Sequence, residues 1–204
     1  VKDKFAKPGS HSAEQNNSSL KSFKSGTLFL GTANSPSSLS EVPAPYIILD
    51  EIDRYEEDVA GEGDPTVLAE KRATSFGKNV KFYQFSTPTL ERTSKINRTY
   101  RLGTQQTPLA ECVHCASTFG IEFEDIKVDG KEVYVACPNC GVIHYEHNKP
   151  EMFKNGLWTS PREEFDGETA SFRFPATFLP YGSASWETLV SEHRKAINQL
   201  EQKG

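Results

Sequence analysis

All four cysteines of the chain fall in one pattern, Cys112-x2-Cys115-x21-Cys137-x2-Cys140. Two thiolates separated by two residues turn toward one ion from a single tight knuckle, and two such hooks make a tetrahedral Zn2+ site. The second hook reads CPNCG, in which Pro138 stiffens the turn and Gly141 permits a left-handed exit. The 21-residue spacer is one longer than the usual pattern, a difference that an intervening hairpin absorbs. Disulfides or a redox CxxC pair are the competing uses; the paired hooks and a composition of cytosolic type disfavour both. Four sulfurs fill the coordination sphere, so the ion is expected to be structural and not catalytic. His114, His144 and His147 lie nearby in sequence and are read as surface residues or as neighbours of the ligands.

A second group of chemically useful side chains sits in YIILDEID, residues 46–53, where an apolar run meets Asp50, Glu51 and Asp53. Acids at the exit of a buried parallel strand suit a Walker B arrangement. There the first carboxylate, Asp50, holds Mg2+ through water, and the second, Glu51, polarises the water that attacks a γ-phosphate. The bland alternative is a solvated turn. The next apolar run ends in Ser86-Thr87-Pro88-Thr89, a small hydroxylic motif of the kind that reports γ-phosphate state in translocating ATPases, or else an ordinary strand-end turn. No GxxxxGK[ST] phosphate loop occurs anywhere, and Gly77-Lys78 lacks both the following Ser/Thr and the upstream Gly. The chain by itself is therefore expected to bind ATP poorly. The phosphate loop is expected upstream of Val1, a start that is not Met.

The elements that must position these groups follow from the patterning. With 204 residues, 36% hydrophobic and 25% charged, the chain fits a soluble globular protein of one large or two small domains. No apolar run approaches a membrane span, and the first residues do not read as the apolar h-region of a secretory leader. Residues 1–25 read as a flexible segment, TLFLGTAN (27–34) as a strand, YIILDEI as a second strand, and VKFYQFSTPT (80–89) as a third. Between the last two, Asp64 caps a helix that starts with Pro65 and runs through TVLAEKRATSF (66–76). Strand, crossover, strand, helix and strand predict an α/β fold with a parallel sheet, residues 26–107. Residues 108–148 predict a small antiparallel zinc ribbon, with a hairpin turning at Asp129-Gly130. Residues 149–204 close with an amphipathic helix on Trp186, Leu189, Val190, His193, Ala196, Ile197 and Leu200.

Net charge is −5, which argues against general nucleic-acid binding, but the distribution is uneven. Residues 50–70 hold nine acids and one Arg, whereas residues 71–101 hold eight basic residues and only Glu91 as an acid. Arg72, Lys78, Lys81, Arg92, Lys95 and Arg98 are candidates for contact with DNA or phosphate; the alternative is a basic face that offsets the acidic one.

Taken together, GTANSPSSL (31–39), YIILDEIDRY (46–55), GEGDPTVLAEKRATSF (61–76), FSTPT (85–89), the CVHC/CPNC pair, NGLW (155–158) and FLPYGSASWETLVSEHRKA (178–196) carry a resemblance. Over about residues 26–200 the chain resembles the large terminase subunit of lambda-type tailed phages, the GpA family. The resemblance implies a partial P-loop (RecA/terminase-like) sheet in an ATP-driven motor. Such a motor moves double-stranded viral DNA into the capsid from the host cytoplasm, working with a small terminase subunit and the portal. It implies Asp50 as magnesium acid, Glu51 as catalytic base, Ser86, Thr87 and Pro88 as coupling motif, and Mg2+ and ATP in the full-length protein beside the structural Zn2+. The nuclease carboxylates of that family are not evident, so cutting is expected to lie elsewhere. Two other readings fit the same residues: a superfamily 2 helicase fragment with a zinc module, from DEID and STPT, and a non-enzymatic zinc-ribbon module that docks DNA or protein.

Overall fold

The computed structural model describes residues 17–23, 25–40, 42–90 and 92–201. Most of the expected flexible segment 1–25 therefore lies outside the described residues. The chain divides into two compact units, Val1–Asn97 and Arg98–Gly204. Among the described residues no helix is long and apolar enough to cross a membrane.

In the first unit, the apolar run becomes strand β3 (Tyr46–Asp50), paired in parallel with β4 (Lys81–Phe85) from Tyr46↔Lys81 to Asp50↔Phe85. Alternation along β3 sends Ile47 and Leu49 toward a small core with Ile52, Ala69, Leu39, Tyr55 and Ile96. The other face carries Tyr46, Ile48, Tyr83 and Phe85, all exposed; Tyr46 is 67% and Ile48 65% accessible. Helix α2 (Pro65–Ala73) makes the crossover between the two strands. Its start is as the sequence predicts: Pro65 opens it, and the Asp64 carboxylate accepts the Thr66 N–H at 2.7 Å. The helix stops at Ala73, earlier than expected, and tightens into a 3-10 stretch, Thr74–Asn79, broken by Gly77 at φ 54°.

The strand expected at 27–34 is shorter and pairs differently. Strand β2 (Gly26–Phe29) lies antiparallel to β1 (Leu20–Phe23), in a tight hairpin with Phe23 opposite Gly26. Two strands so close along the chain pair with each other first, so the parallel sheet of the described residues has two strands, β3 and β4. The short helix α1 (Pro36–Ser40) follows β2. Helix α3 (Lys95–Leu102) begins in the first unit and ends in the second.

The second unit is built on two antiparallel sheets. One orders β10 (Leu157–Trp158), β5 (Pro108–Glu111) and β6 (Thr118–Phe119); the other orders β7 (Ile126–Asp129), β8 (Glu132–Ala136) and β9 (Ile143–Tyr145). The β7–β8 hairpin turns where expected, with Asp129 opposite Glu132 and Gly130 at φ 58°. One core serves the whole unit: Ala110, Cys112, Phe119, Ile121, Val135 and Cys137 pack with Met152, Phe178, Trp186 and Val190. Helix α4 (Lys149–Met152) places Lys149 fully inside, where its Nζ pairs with Glu146 at 2.9 Å and lies 4.9 Å from the Trp186 ring centroid. Trp186 opens helix α5 (Trp186–Glu201) and donates its indole N–H to Thr177 O at 3.0 Å. Burial of the α5 apolar face is confined to its first turns, since Ile197 is 41% exposed.

Candidate metal centre and carboxylate strand end

Cys112 and Cys115 follow β5, and Cys137 and Cys140 join β8 to β9, so the hairpin brings the two hooks to one place. The four Sγ atoms lie within 4.8 Å of one another. Cys112 Sγ is 3.7 Å from Cys140 Sγ, and Cys115 Sγ is 3.8 Å from Cys137 Sγ. A tetrahedron with metal–sulfur bonds of about 2.3 Å has edges of about 3.8 Å, so the spacing fits a four-thiolate ion site. It is far too long for a disulfide, whose bond is about 2.05 Å, and all four cysteines are free.

The two knuckles are built alike. Ala116 N–H donates to Cys112 O and Gly141 N–H to Cys137 O, both at 2.9 Å; Cys112 N–H reaches Ser117 O and Cys137 N–H reaches Val142 O, again at 2.9 Å. Each exit residue is left-handed, Gly141 at φ 74° and Ala116 at φ 57°. Glycine takes this conformation freely, whereas the Cβ of alanine crowds the following carbonyl oxygen there, at a cost of about 1 kcal/mol or more.

Ser117, which the cysteine spacing did not point to, sits among the sulfurs, its Oγ 3.0 Å from Cys115 Sγ and 3.4 Å from Cys137 Sγ. The Asn139 amide adds a longer contact to Cys115 Sγ at 3.5 Å. The Ser117 hydroxyl, with Asn139, brings the Cys115 thiol down to about 5. Cys140 behaves oppositely. Its bond from the Val142 N–H favours the thiolate, but burial and the three neighbouring sulfurs push it up to about 12. Negative charges on four sulfurs this close repel one another unless a cation sits between them, the arrangement of a metal site. His144 is fully buried with neither ring nitrogen partnered among the described residues, and burial draws its pKa down against the charge of Cys115. His114 and His147 are exposed, and no histidine belongs to the sulfur cluster.

The second site lies at the C-terminal ends of β3 and β4. Asp50 is the last residue of β3 and is exposed. Glu51, also exposed, takes a left-handed backbone at φ 55°, ψ 43°, a strained conformation for a non-glycine residue and a frequent mark of a functional position. Ile52, 1% accessible, anchors the turn from beneath. Asp53, two residues past Glu51, donates its backbone N–H to Ser86 Oγ at 3.1 Å. The structure thus brings the expected acids and the start of the STPT loop to one strand edge, with Thr87 and Pro88 exposed beside them.

The Asp53 carboxylate is the feature that sequence reasoning left unassigned. It accepts the Ile96 N–H at 2.8 Å, the Thr89 N–H at 2.9 Å and the Thr89 hydroxyl at 3.2 Å. Burial pushes its pKa up, but the bonds from Ile96, the Ser94 hydroxyl and Thr89 outweigh burial and hold it below the ordinary value.

The basic candidates are dispersed. Lys81 opens β4, at the end of the strand pair opposite the acids, and Lys78 lies in the 3-10 stretch before it. Arg72 is half-buried on α2 with an unpartnered Nε. Arg92 is exposed on the loop after STPT, and Arg98 is exposed on α3. Lys95 directs its ammonium to Asp64 at 2.8 Å and to Glu56 O at 3.2 Å.

The family model described as the phage terminase large subunit gpA, ATPase domain, matches residues 1–158. The match takes in both strand ends and all four cysteines. No curated protein and no solved structure shows significant similarity to the chain.

Proposed function

The chain belongs to the family of phage terminase large subunit gpA ATPase domains, and from that premise we propose that it carries the hydrolytic half of a DNA-packaging motor's nucleotide site. The observation that carries this reading is the placement of Asp50 and Glu51 at the C-terminal end of a parallel strand, where open α/β sheets bind ligands. Asp50 holds the Mg2+ of MgATP through water, and Glu51 accepts the proton of the attacking water as it adds to the γ-phosphorus. Ser86, Thr87 and Pro88, on the neighbouring strand end, are the coupling motif.

The bare face of β3 and β4 supports a further layer of the motor packing over these two strands. Parallel sheets are covered on both faces, yet Tyr46, Ile48, Tyr83 and Phe85 have no covering layer among the described residues. A phosphate loop, which the 204 residues do not contain, comes in this reading from another segment of the motor and completes a P-loop sheet. The four cysteines hold one structural Zn2+, with no position open for chemistry. The moving substrate is double-stranded viral DNA, handled with a small terminase subunit and a portal in the host cytoplasm. Lys78, Lys81, Arg92 and Arg98, exposed and basic, are the contacts offered to its phosphates.

The test is Asp50→Asn in a motor subunit that carries both this segment and the phosphate loop. Magnesium-dependent ATP hydrolysis is expected to fall at least 100-fold, with nucleotide binding in EDTA unchanged. Hydrolysis within threefold of wild type would remove Asp50 from the site.

A further inference from the structure

Asp53 joins the strand-end acids to the loop beyond β4. Its backbone N–H binds Ser86 Oγ, the first residue of the loop. Its carboxylate binds the Thr89 N–H and hydroxyl within STPT, and the Ile96 N–H in the first turn of α3. Ser94, only 1% accessible, accepts the Asn97 N–H at 3.1 Å. The start of α3 therefore has two acceptors for its unpaired amides: Ser94 from its own flank and Asp53 from 43 residues upstream. Both ends of segment 86–96 are thus held by the residue two positions after Glu51.

We propose that Asp53 is a positioning residue of the motor, which transmits the state of Asp50 and Glu51 to the STPT loop and helix α3. This inference rests on the reading of those two acids given above. Glu51 and Asp53 share one short turn, Ile52–Arg54 with Glu51 as its cap, so a displacement of Glu51 toward bound nucleotide moves Asp53 with it. The carboxylate offers acceptors only, and it faces donors only: two backbone amides and the Thr89 hydroxyl. An amide side chain in its place turns one of those contacts into donor against donor. Asp53→Asn keeps the volume and breaks the clamp, on the Thr89 side or on the Ile96 side.

The experiment is hydrogen exchange of segment 86–96 with and without ATPγS, in a subunit carrying the phosphate loop. In wild type, nucleotide is expected to change the exchange of this segment at least fivefold. In Asp53→Asn, with ATPγS affinity within about threefold of wild type, the response is expected to disappear. A response of wild-type size in Asp53→Asn overturns the proposal, and so does a wild-type segment that ignores nucleotide. If Asp53→Asn does not fold, Thr89→Val, which removes one hydroxyl donor and keeps the shape, is expected to halve the response at least; no change in that variant overturns the proposal. Asp50→Asn and Glu51→Gln, assayed for hydrolysis in parallel, separate the two ideas. If both still hydrolyse ATP, the reading of the acids fails; if both are dead and Asp53→Asn responds normally, only the present inference fails.

Discussion

The cysteine cluster and the carboxylate strand end are both sites at the ends of strands, but they are finished to different degrees. The cluster draws its ligands from residues 112–140, closes them with a hairpin and two matched knuckles, and buries Cys112 and Cys137. The acids stand exposed at the edge of a two-stranded pair with one bare apolar face. A structural ion needs all its ligands at once and no opening, so a short local segment encloses it. A catalytic edge, as proposed for Asp50 and Glu51, must leave room for a substrate and can draw its remaining parts from distant chain. In the proposed reading, the contrast separates a site enclosed within residues 112–140 from one that other segments would complete.

Metal removal should have the largest effect on the second unit and leave the first largely intact. With four thiolates and no cation, the second unit loses a binding energy of about 10 kcal/mol, the scale of structural zinc in small domains. Both tryptophans, Trp158 and Trp186, lie in that unit, so chelation by EDTA should shift tryptophan fluorescence, and Cys137→Ser should do the same without chelator. Because Cys112 and Cys137 share a core with Trp186 and Phe178, the loss should extend through residues 149–190. Metal analysis should return one Zn per chain; much less than one would undo the site.

Trp186→Ala should come next, at about 3–5 kcal/mol, from an emptied core position and an unpaired Thr177 carbonyl. Urea unfolding of the zinc-loaded protein reads it out. The two knuckles then supply a finer contrast. Gly141→Ala should destabilise by about 1 kcal/mol, whereas Ala116→Gly should be neutral or stabilising by up to about 1 kcal/mol, since its φ already suits glycine. Equal effects at both positions would show that the knuckles are not equivalent in the way their hydrogen bonds indicate.

The smallest effect concerns pH in the first unit. Burial pushes the carboxyls of Asp53 and Asp64 up, but hydrogen bonds to Asp53 from Ile96, Ser94 and Thr89, and to Asp64 from Lys95 and Thr66, outweigh it and hold both below 3.8. Depressed carboxylates bind protons more weakly in the folded state, so their stabilisation is complete above that value and is lost as pH falls through the lower folded values. Thermal unfolding of the first unit should be flat from pH 7 down to about 5 and fall below about 4. Asp53→Asn should flatten part of that fall.

Much of this was readable in the sequence because the signals are local. The strand YIILD, the Asp64-Pro65 helix start, the paired hooks and the left-handed Gly141 each depend on neighbours within a few residues. What could not be read depends on distance along the chain. The partners of Asp53 lie 36 and 43 residues away, and an acid in a polar stretch looks like solvent-facing charge. Strand β1, LKSF, has little alternation, and only its pairing with β2 makes it a strand. Helical spacing on α5 announced an apolar face, but not that cover reaches Val190 while Ile197 stays exposed. Nor could cysteine spacing reveal that the cysteine cluster shares its core with residues 149–190.

The proposed role of Glu51, activation of the water of an ATPase site, can be read from the nucleotide bound to Glu51→Gln. In a subunit with its phosphate loop, incubated with MgATP and separated from free nucleotide, the account predicts retained ATP with almost no ADP. Bound ADP at the wild-type ratio, or no bound nucleotide at all, would contradict it.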